Sequence, residues 1–203
     1  MKRYLLLSLM LLSFVAVACA QQQKQQEQMP PFWNEIQAFK TQDQQQMPPK
    51  KAILFVGSSS LRMWNNMQEM FPKHTIINRG FGGSNLLDLD RYLNDIVFPY
   101  QPKQIVIYSG ENDIASDTVQ AQEVLQRFKN VFQHIRQKMP QVPVVFVSIK
   151  PSPSRFKYTP IIEEANKLIK QYLQTQPKTN YVNVYSPMPV SYTHLTLPTI
   201  CSV

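Results

Sequence analysis

From Lys51 onward the chain alternates two kinds of segment. Runs at 52–56, 75–78, 104–108, 142–149 and 181–185 are short and rich in Val, Ile, Tyr and Phe, the composition of strands buried on both faces. Between them, 61–71, 85–97, 119–139 and 161–175 carry apolar residues at helical spacing. Strands separated by helices cannot pair as hairpins; they join through right-handed crossovers into a parallel sheet with helices on both faces. The expectation is an α/β chain, a three-layer α/β/α sandwich around a parallel sheet of about five strands. With 203 residues, 43% of them hydrophobic, one domain can fill its core.

The ends of the chain do not share this pattern. Lys2 and Arg3 precede an apolar stretch at 5–17 that is short for a bilayer, and Ala18-Cys19-Ala20 follows as a small-residue cleavage site. Residues 1–20 therefore read as a signal peptide, and the protein as exported, periplasmic or secreted, starting at Gln21. The alternative is lipid anchorage through Cys19, because Ala16-Val17-Ala18-Cys19 loosely resembles a bacterial lipobox. Residues 21–50 form a Gln/Pro-rich spacer, interrupted at 32–39 by a short amphipathic helix with Trp33, Ile36 and Phe39 on one side, and resuming as a linker at 43–49. The folded domain is expected over 51–187. Cys19 and Cys201 both lie in end segments, so no disulfide framework follows. The net charge of +8 is scattered and part of it belongs to the leader; a basic surface, not a nucleic-acid groove, is expected.

In parallel sheets ligands bind beyond the carboxyl ends of the strands. All five glycines of the chain fall there: Gly57 after the first strand, Gly80, Gly82 and Gly83 after the second, Gly110 after the third. The residues beside them supply chemistry. Gly57-Ser58-Ser59-Ser60 puts hydroxyls at the start of a helix, where backbone N–H groups favour a developing anion; a helix cap is the competing explanation. Asn112, in Gly110-Glu111-Asn112-Asp113, is an uncharged donor suited to hold an oxyanion, and an Asx-turn is its competing explanation. Neither a Gly-x-x-x-x-Gly-Lys-Ser/Thr loop nor a complete Gly-x-Gly-x-x-Gly fingerprint occurs, and no His/Cys/Asp/Glu cluster has ligand spacing. No cofactor and no metal are expected.

Taken in order, these blocks resemble the SGNH (GDSL-like) hydrolase family over roughly 52–185. Phe55-Val56-Gly57-Ser58-Ser59-Ser60 is similar to the family's Gly-Asp-Ser block, with Ser58 where Asp is usual. Asn78-Arg79-Gly80-Phe81-Gly82-Gly83 is similar to Asn-x-Gly-x-x-Gly, and Gly110-Glu111-Asn112-Asp113 to Gly-x-Asn-Asp. The resemblance implies a flavodoxin-like SGNH fold, a serine esterase without cofactor, Ser59 as nucleophile, and Gly83 N–H and Asn112 as oxyanion donors. It implies a small-molecule or glycan ester as substrate; the scattered charge and the short leader give no reason to expect nucleic acid or a membrane span. A flavodoxin-like ligand-binding domain without catalysis is the alternative.

The chain departs from the family at its end. The resemblance requires Asp-x-x-His after the fifth strand, the His as general base and the Asp orienting it. The histidines are His74, His134 and His194, preceded at three residues by Phe71, Val131 and Ser191, and no Asp or Glu follows Glu164. The uncharged string from about Val190 resembles a translated sequencing-adapter tail, so 188–203 is read as non-native and the domain as lacking its C-terminal end. An impaired enzyme is expected, with apolar sheet surface left uncovered where a final helix belongs.

Overall fold

The computed structural model describes residues 29–115 and 118–186. The chain divides into Met1–Trp33, whose described part is a turn closed by the Trp33 N–H on the Pro30 carbonyl, and Asn34–Val203, which holds the sheet. Five strands form: β1 Ile53–Gly57, β2 Ile76–Gly80, β3 Gln104–Tyr108, β4 Val144–Val147 and β5 Thr179–Val182. Every neighbouring pair is parallel and the order is β2-β1-β3-β4-β5. The chain steps from β1 to one side for β2, then to the other for the remaining strands, so a topological switch point lies between β1 and β3.

The helices are α1 Trp33–Gln45, α2 Ser59–Arg62, α3 Met67–Met70, α4 Leu86–Arg91, α5 Leu93–Ile96, α6 Ala121–Lys138 and α7 Thr159–Gln174, with 3-10 turns at Phe98–Tyr100, Asp113–Ala115 and Pro153–Tyr158. The three-layer α/β architecture is as the alternation of segments implies. The helix expected over 61–71 is instead two short ones flanking Trp64, which is buried against Phe55 and Phe71. The helix expected over 85–97 breaks at Tyr92 (φ −103°, ψ 9°), whose ring packs edge-on against Phe81. In both places burial of one aromatic ring outweighs continuation of the helical ladder.

The α1 helix also differs from expectation: it runs to Gln45, into the expected linker. A run of Gln and Asp has no apolar stripe to favour a helix, but Asp43 is drawn inward. Its carboxylate takes hydrogen bonds from the Arg79 guanidinium and the Tyr100 hydroxyl, and Arg79 lies over the rings of Phe39 and Tyr100, 4.9 Å from each centroid. A nearly buried ion pair is costly to break once formed, so it fixes the last turn of α1.

The two sheet faces are unequally covered. Leu54, Val56, Ile105, Ile107, Val144 and Phe146, on one face, have 0% exposure; Phe128 of α6 meets Phe146 at 4.9 Å. On the other face Phe55, Val106 and Val145 pack with Leu61, Trp64 and Met67, while Ile53, Val147 and Val182 are only partly buried. The loop after β4 is anchored by Asn166 of α7, whose side chain bonds both the N–H and the carbonyl of Ile149, at 2.8 and 2.9 Å.

Candidate active site

Strand register brings the three motif loops together. Gly57 is level with Gly80 on one side and with Tyr108 on the other, so the chain leaves β2, β1 and β3 at adjacent points on the sheet's carboxyl edge. Hydrogen bonds then stitch the loops. The Ser58 N–H donates to the Tyr108 carbonyl at 3.0 Å, and the Phe81 N–H to that of Gly57 at 3.0 Å. Asn78 Nδ2 donates to the Leu61 carbonyl at 2.7 Å, and Ser84 Oγ to those of Phe81 and Gly57 at 2.9 and 3.3 Å. The Gly57 and Leu61 carbonyls also accept backbone N–H groups, from Phe81 and Trp64, so the side-chain bonds add cross-links between the loops where the ladder ends.

The serines separate by environment. Ser58, at the N-cap position of α2, is buried and makes no side-chain capping bond, so capping does not account for it. Ser60 faces the phenol of Tyr108, whose pKa is pushed well above its ordinary value by burial first and by the adjacent Glu111 carboxylate second. Ser59 is half-buried. Among the described residues its hydroxyl has no hydrogen-bond partner, and neither its N–H nor that of Gly83 meets an acceptor. A Cβ built on Gly83 would touch nothing within 4 Å, so this residue faces open space. The preceding amide is occupied: the Gly82 N–H donates to Glu35 Oε2 of α1 at 2.9 Å.

Asn112 is not an Asx-turn residue. Its Nδ2 donates across to the Ser84 carbonyl at 2.9 Å, and its Oδ1 accepts from Arg155 at 2.8 Å. The neighbouring Asp113 is structural: buried, it accepts from the Leu86 N–H and from Arg127, both at 3.0 Å. Burial pushes the Asp113 carboxyl above its ordinary pKa, with Arg127 pulling against it.

The histidines that are described stand away from this edge. His74 lies just before β2, at the amino edge of the sheet. His134 is near the end of α6, where the chain turns back to enter β4, and its Nδ1 lies 2.7 Å from Asp90 on the surface. His194, both cysteines, the leader and the 188–203 segment fall outside the described residues. Among the described residues no group of three or more His, Cys, Asp or Glu could hold a metal, and no helix is long and apolar enough to cross a membrane. A surface hollow of about 620 Å³ lined by Phe98, Lys103, Lys138 and Val142 opens where β3 and β4 begin, the opposite end of the sheet from Ser59.

Sequence reasoning did not find Glu35, Ser84 or Arg155. Each acts through a contact spanning 28 to 47 residues, and no local pattern records such a contact.

A five-stranded parallel sheet between helices, with glycine-marked loops at its carboxyl edge, defines a three-layer α/β fold. The GDSL-like Lipase/Acylhydrolase family matches residues 51–197, and the chain belongs to it. Among solved structures it is similar to a Bacteroides fragilis NCTC 9343 protein assigned as an acylhydrolase, with 25% identity, coverage of 77% of this chain and 79% of the other, and a TM-score of 0.65. A GDSL-like lipase from Bacteroides thetaiotaomicron VPI-5482 shares 22% identity over 77% and 81%, with a TM-score of 0.62. A variant of an acetyl-xylooligosaccharide esterase from Geobacillus Stearmophilus shares the fold at 12% identity over 75% and 90%, with a TM-score of 0.55. A comparison with curated protein sequences gave no match.

Proposed function

We propose that this chain is an exported serine ester hydrolase for acyl or O-acetyl esters of lipids or carbohydrates, in which Ser59 is the nucleophile and the N–H groups of Ser59 and Gly83, with Asn112 Nδ2, hold the oxyanion. The observation that carries the reading is the juxtaposition of a partnerless Ser59 hydroxyl with two unengaged backbone N–H groups on adjacent loops. Family membership supports ester hydrolysis; the leader supports export; the acetyl-xylooligosaccharide esterase among the structural neighbours is compatible with a glycan O-acetyl ester.

In this reading Ser59 Oγ attacks the acyl carbon as its proton passes to a base, and the carbonyl oxygen takes up negative charge between the three donors. The tetrahedral intermediate collapses, the C–O bond to the alcohol breaks, and the alcohol leaves with the proton. Water then releases the acyl group by the same steps. The base is the weak point: family resemblance assigns it to an Asp-x-x-His that the sequence does not contain. The chain as written is therefore a poor esterase. No described side chain hydrogen-bonds the Ser59 hydroxyl, and this favours one second reading, a ligand-binding domain on the same fold.

A fluorophosphonate probe tests the assignment in a chain given a family-type Asp-x-x-His end. Adduct on Ser59, lost in Ser59→Ala and kept in Ser58→Ala and Ser60→Ala, is expected. Adduct that survives Ser59→Ala would overturn it.

A further inference from the structure

The amide of Asn112 has a defined orientation, and the side chains that define it come from a distant loop. Ser84 O can only accept and a guanidinium can only donate. With Nδ2 on the Ser84 carbonyl at 2.9 Å and Oδ1 on Arg155 at 2.8 Å, a flipped amide would bring lone pair against lone pair at one end and hydrogen against hydrogen at the other. One of the two Nδ2 hydrogens is used on Ser84, which leaves the second for a ligand.

Arg155 is itself held. Its other terminal nitrogen lies 3.1 Å from Glu111 Oε1, while Glu111 Oε2 takes the Tyr108 hydroxyl at 2.9 Å and faces Lys150 Nζ at 3.2 Å. The Glu111 and Arg155 side chains are only 11% and 20% exposed, so the pair is a built element and not a chance surface contact. The Arg155 N–H donates to the Ser152 carbonyl at 3.0 Å, and the start of this loop is clamped to α7 through Asn166.

We infer that Arg155, braced by Glu111, is a positioning residue: it fixes the Asn112 amide so that its free N–H faces the space beside Ser59 and Gly83, and its charge, bonded to the amide oxygen, makes that N–H a stronger donor. The inference deepens the proposed oxyanion role of Asn112 and rests on that reading. It adds a part from the β4 loop to a site otherwise assembled from the β1, β2 and β3 loops.

Two measurements test it, the first on the 203-residue protein and the second on the same chain given a family-type Asp-x-x-His end. The first needs no catalysis: ¹⁵N–¹H NMR of side-chain amides, with the Asn112 pair identified by its loss in Asn112→Ala. In Arg155→Met the Asn112 signals should shift and their hydrogen exchange quicken about tenfold, the equilibrium equivalent of one hydrogen bond; Arg155→Lys, which still donates, should restore most of the protection. Unchanged Asn112 signals in Arg155→Met overturn the inference, even if the melting temperature falls. The second is the rate of fluorophosphonate labelling, with Ser59→Ala as control. A Ser59-dependent rate that falls about tenfold in Arg155→Met, less than the loss of the donor itself would cost, and recovers in Arg155→Lys is expected. A Ser59-dependent rate indifferent to Arg155 refutes positioning while leaving the nucleophile intact, whereas labelling indifferent to Ser59 refutes the nucleophile and leaves the amide measurement to decide on Arg155.

Discussion

Gly57 sits beside Tyr108 of the neighbouring strand, close against its carbonyl: with φ at +138°, a Cβ on Gly57 would come 1.9 Å from that oxygen. Two strands thus end in contact with no room for a side chain, and the serine turn leaves from that point. The backbone conformation is one that residues other than glycine rarely adopt.

Gly57→Ala should therefore combine backbone strain with a steric clash against main chain that cannot swing aside. The expected loss is about 2–6 kcal/mol, a large fraction of the stability of an ordinary domain. A urea titration followed by tryptophan fluorescence checks it; a midpoint within error of the parent would mean that β1 and β3 end further apart than described. Gly83→Ala, whose Cβ meets only open space, should leave the midpoint nearly unchanged.

Asn112→Ala, in a chain with an Asp-x-x-His end, should lower kcat by about 10²–10³ with little change in KM, the pattern for a donor used in the transition state. Steady-state kinetics on p-nitrophenyl acetate distinguish this from a binding role, which would move KM alone.

Tyr100 gives a pH dependence. Burial pushes its phenol up to about 12 from the usual 10, with the Arg79 hydrogen bond opposing and Asp43 assisting. The folded protein thus holds this proton more tightly than the unfolded chain. The resulting stability is fully present below pH 10 and is lost as the pH rises through 12. Tyr100→Phe should cost about 1–2 kcal/mol at pH 8, where Asp43 and Arg79 lose a partner. The gap between parent and variant should narrow between pH 10 and 12. Urea midpoints across that range provide the check, and a gap that widened would show that Tyr100 is not the group responsible.

The 203-residue chain should hydrolyse p-nitrophenyl acetate only in trace. Ser59 without a base stays a neutral hydroxyl at pH 7, and loss of the histidine in a serine protease removes about 10⁶ of the rate. Activity equal to that of a chain with Asp-x-x-His restored, and abolished in both by Ser59→Ala, would show that another residue serves as base.

The sequence by itself determined the sheet. Short Val/Ile-rich runs separated by helical periods point to a parallel, helix-covered sheet without giving its strand order; β3 falls at Gln104–Tyr108, the residues its composition marks, while β4, Val144–Val147, is shorter than the run at 142–149 and β5, Thr179–Val182, lies earlier than the run at 181–185. The motif loops were legible for the same reason, since a turn that must end a strand without a side chain selects glycine, as at Gly57 and Gly80. What only the tertiary structure decided were matters of contact between distant residues. Where α1 ends depends on Asp43 meeting Arg79 and Tyr100, 36 and 57 residues away. The breaks after Arg62 and at Tyr92 depend on rings finding Phe55, Phe71 and Phe81. The orientation of the Asn112 amide depends on Ser84 and Arg155, which no periodicity connects to it. Local sequence records the preferences of φ, ψ and burial within a few residues, whereas a hydrogen bond between loops exists only after strand register has brought them together.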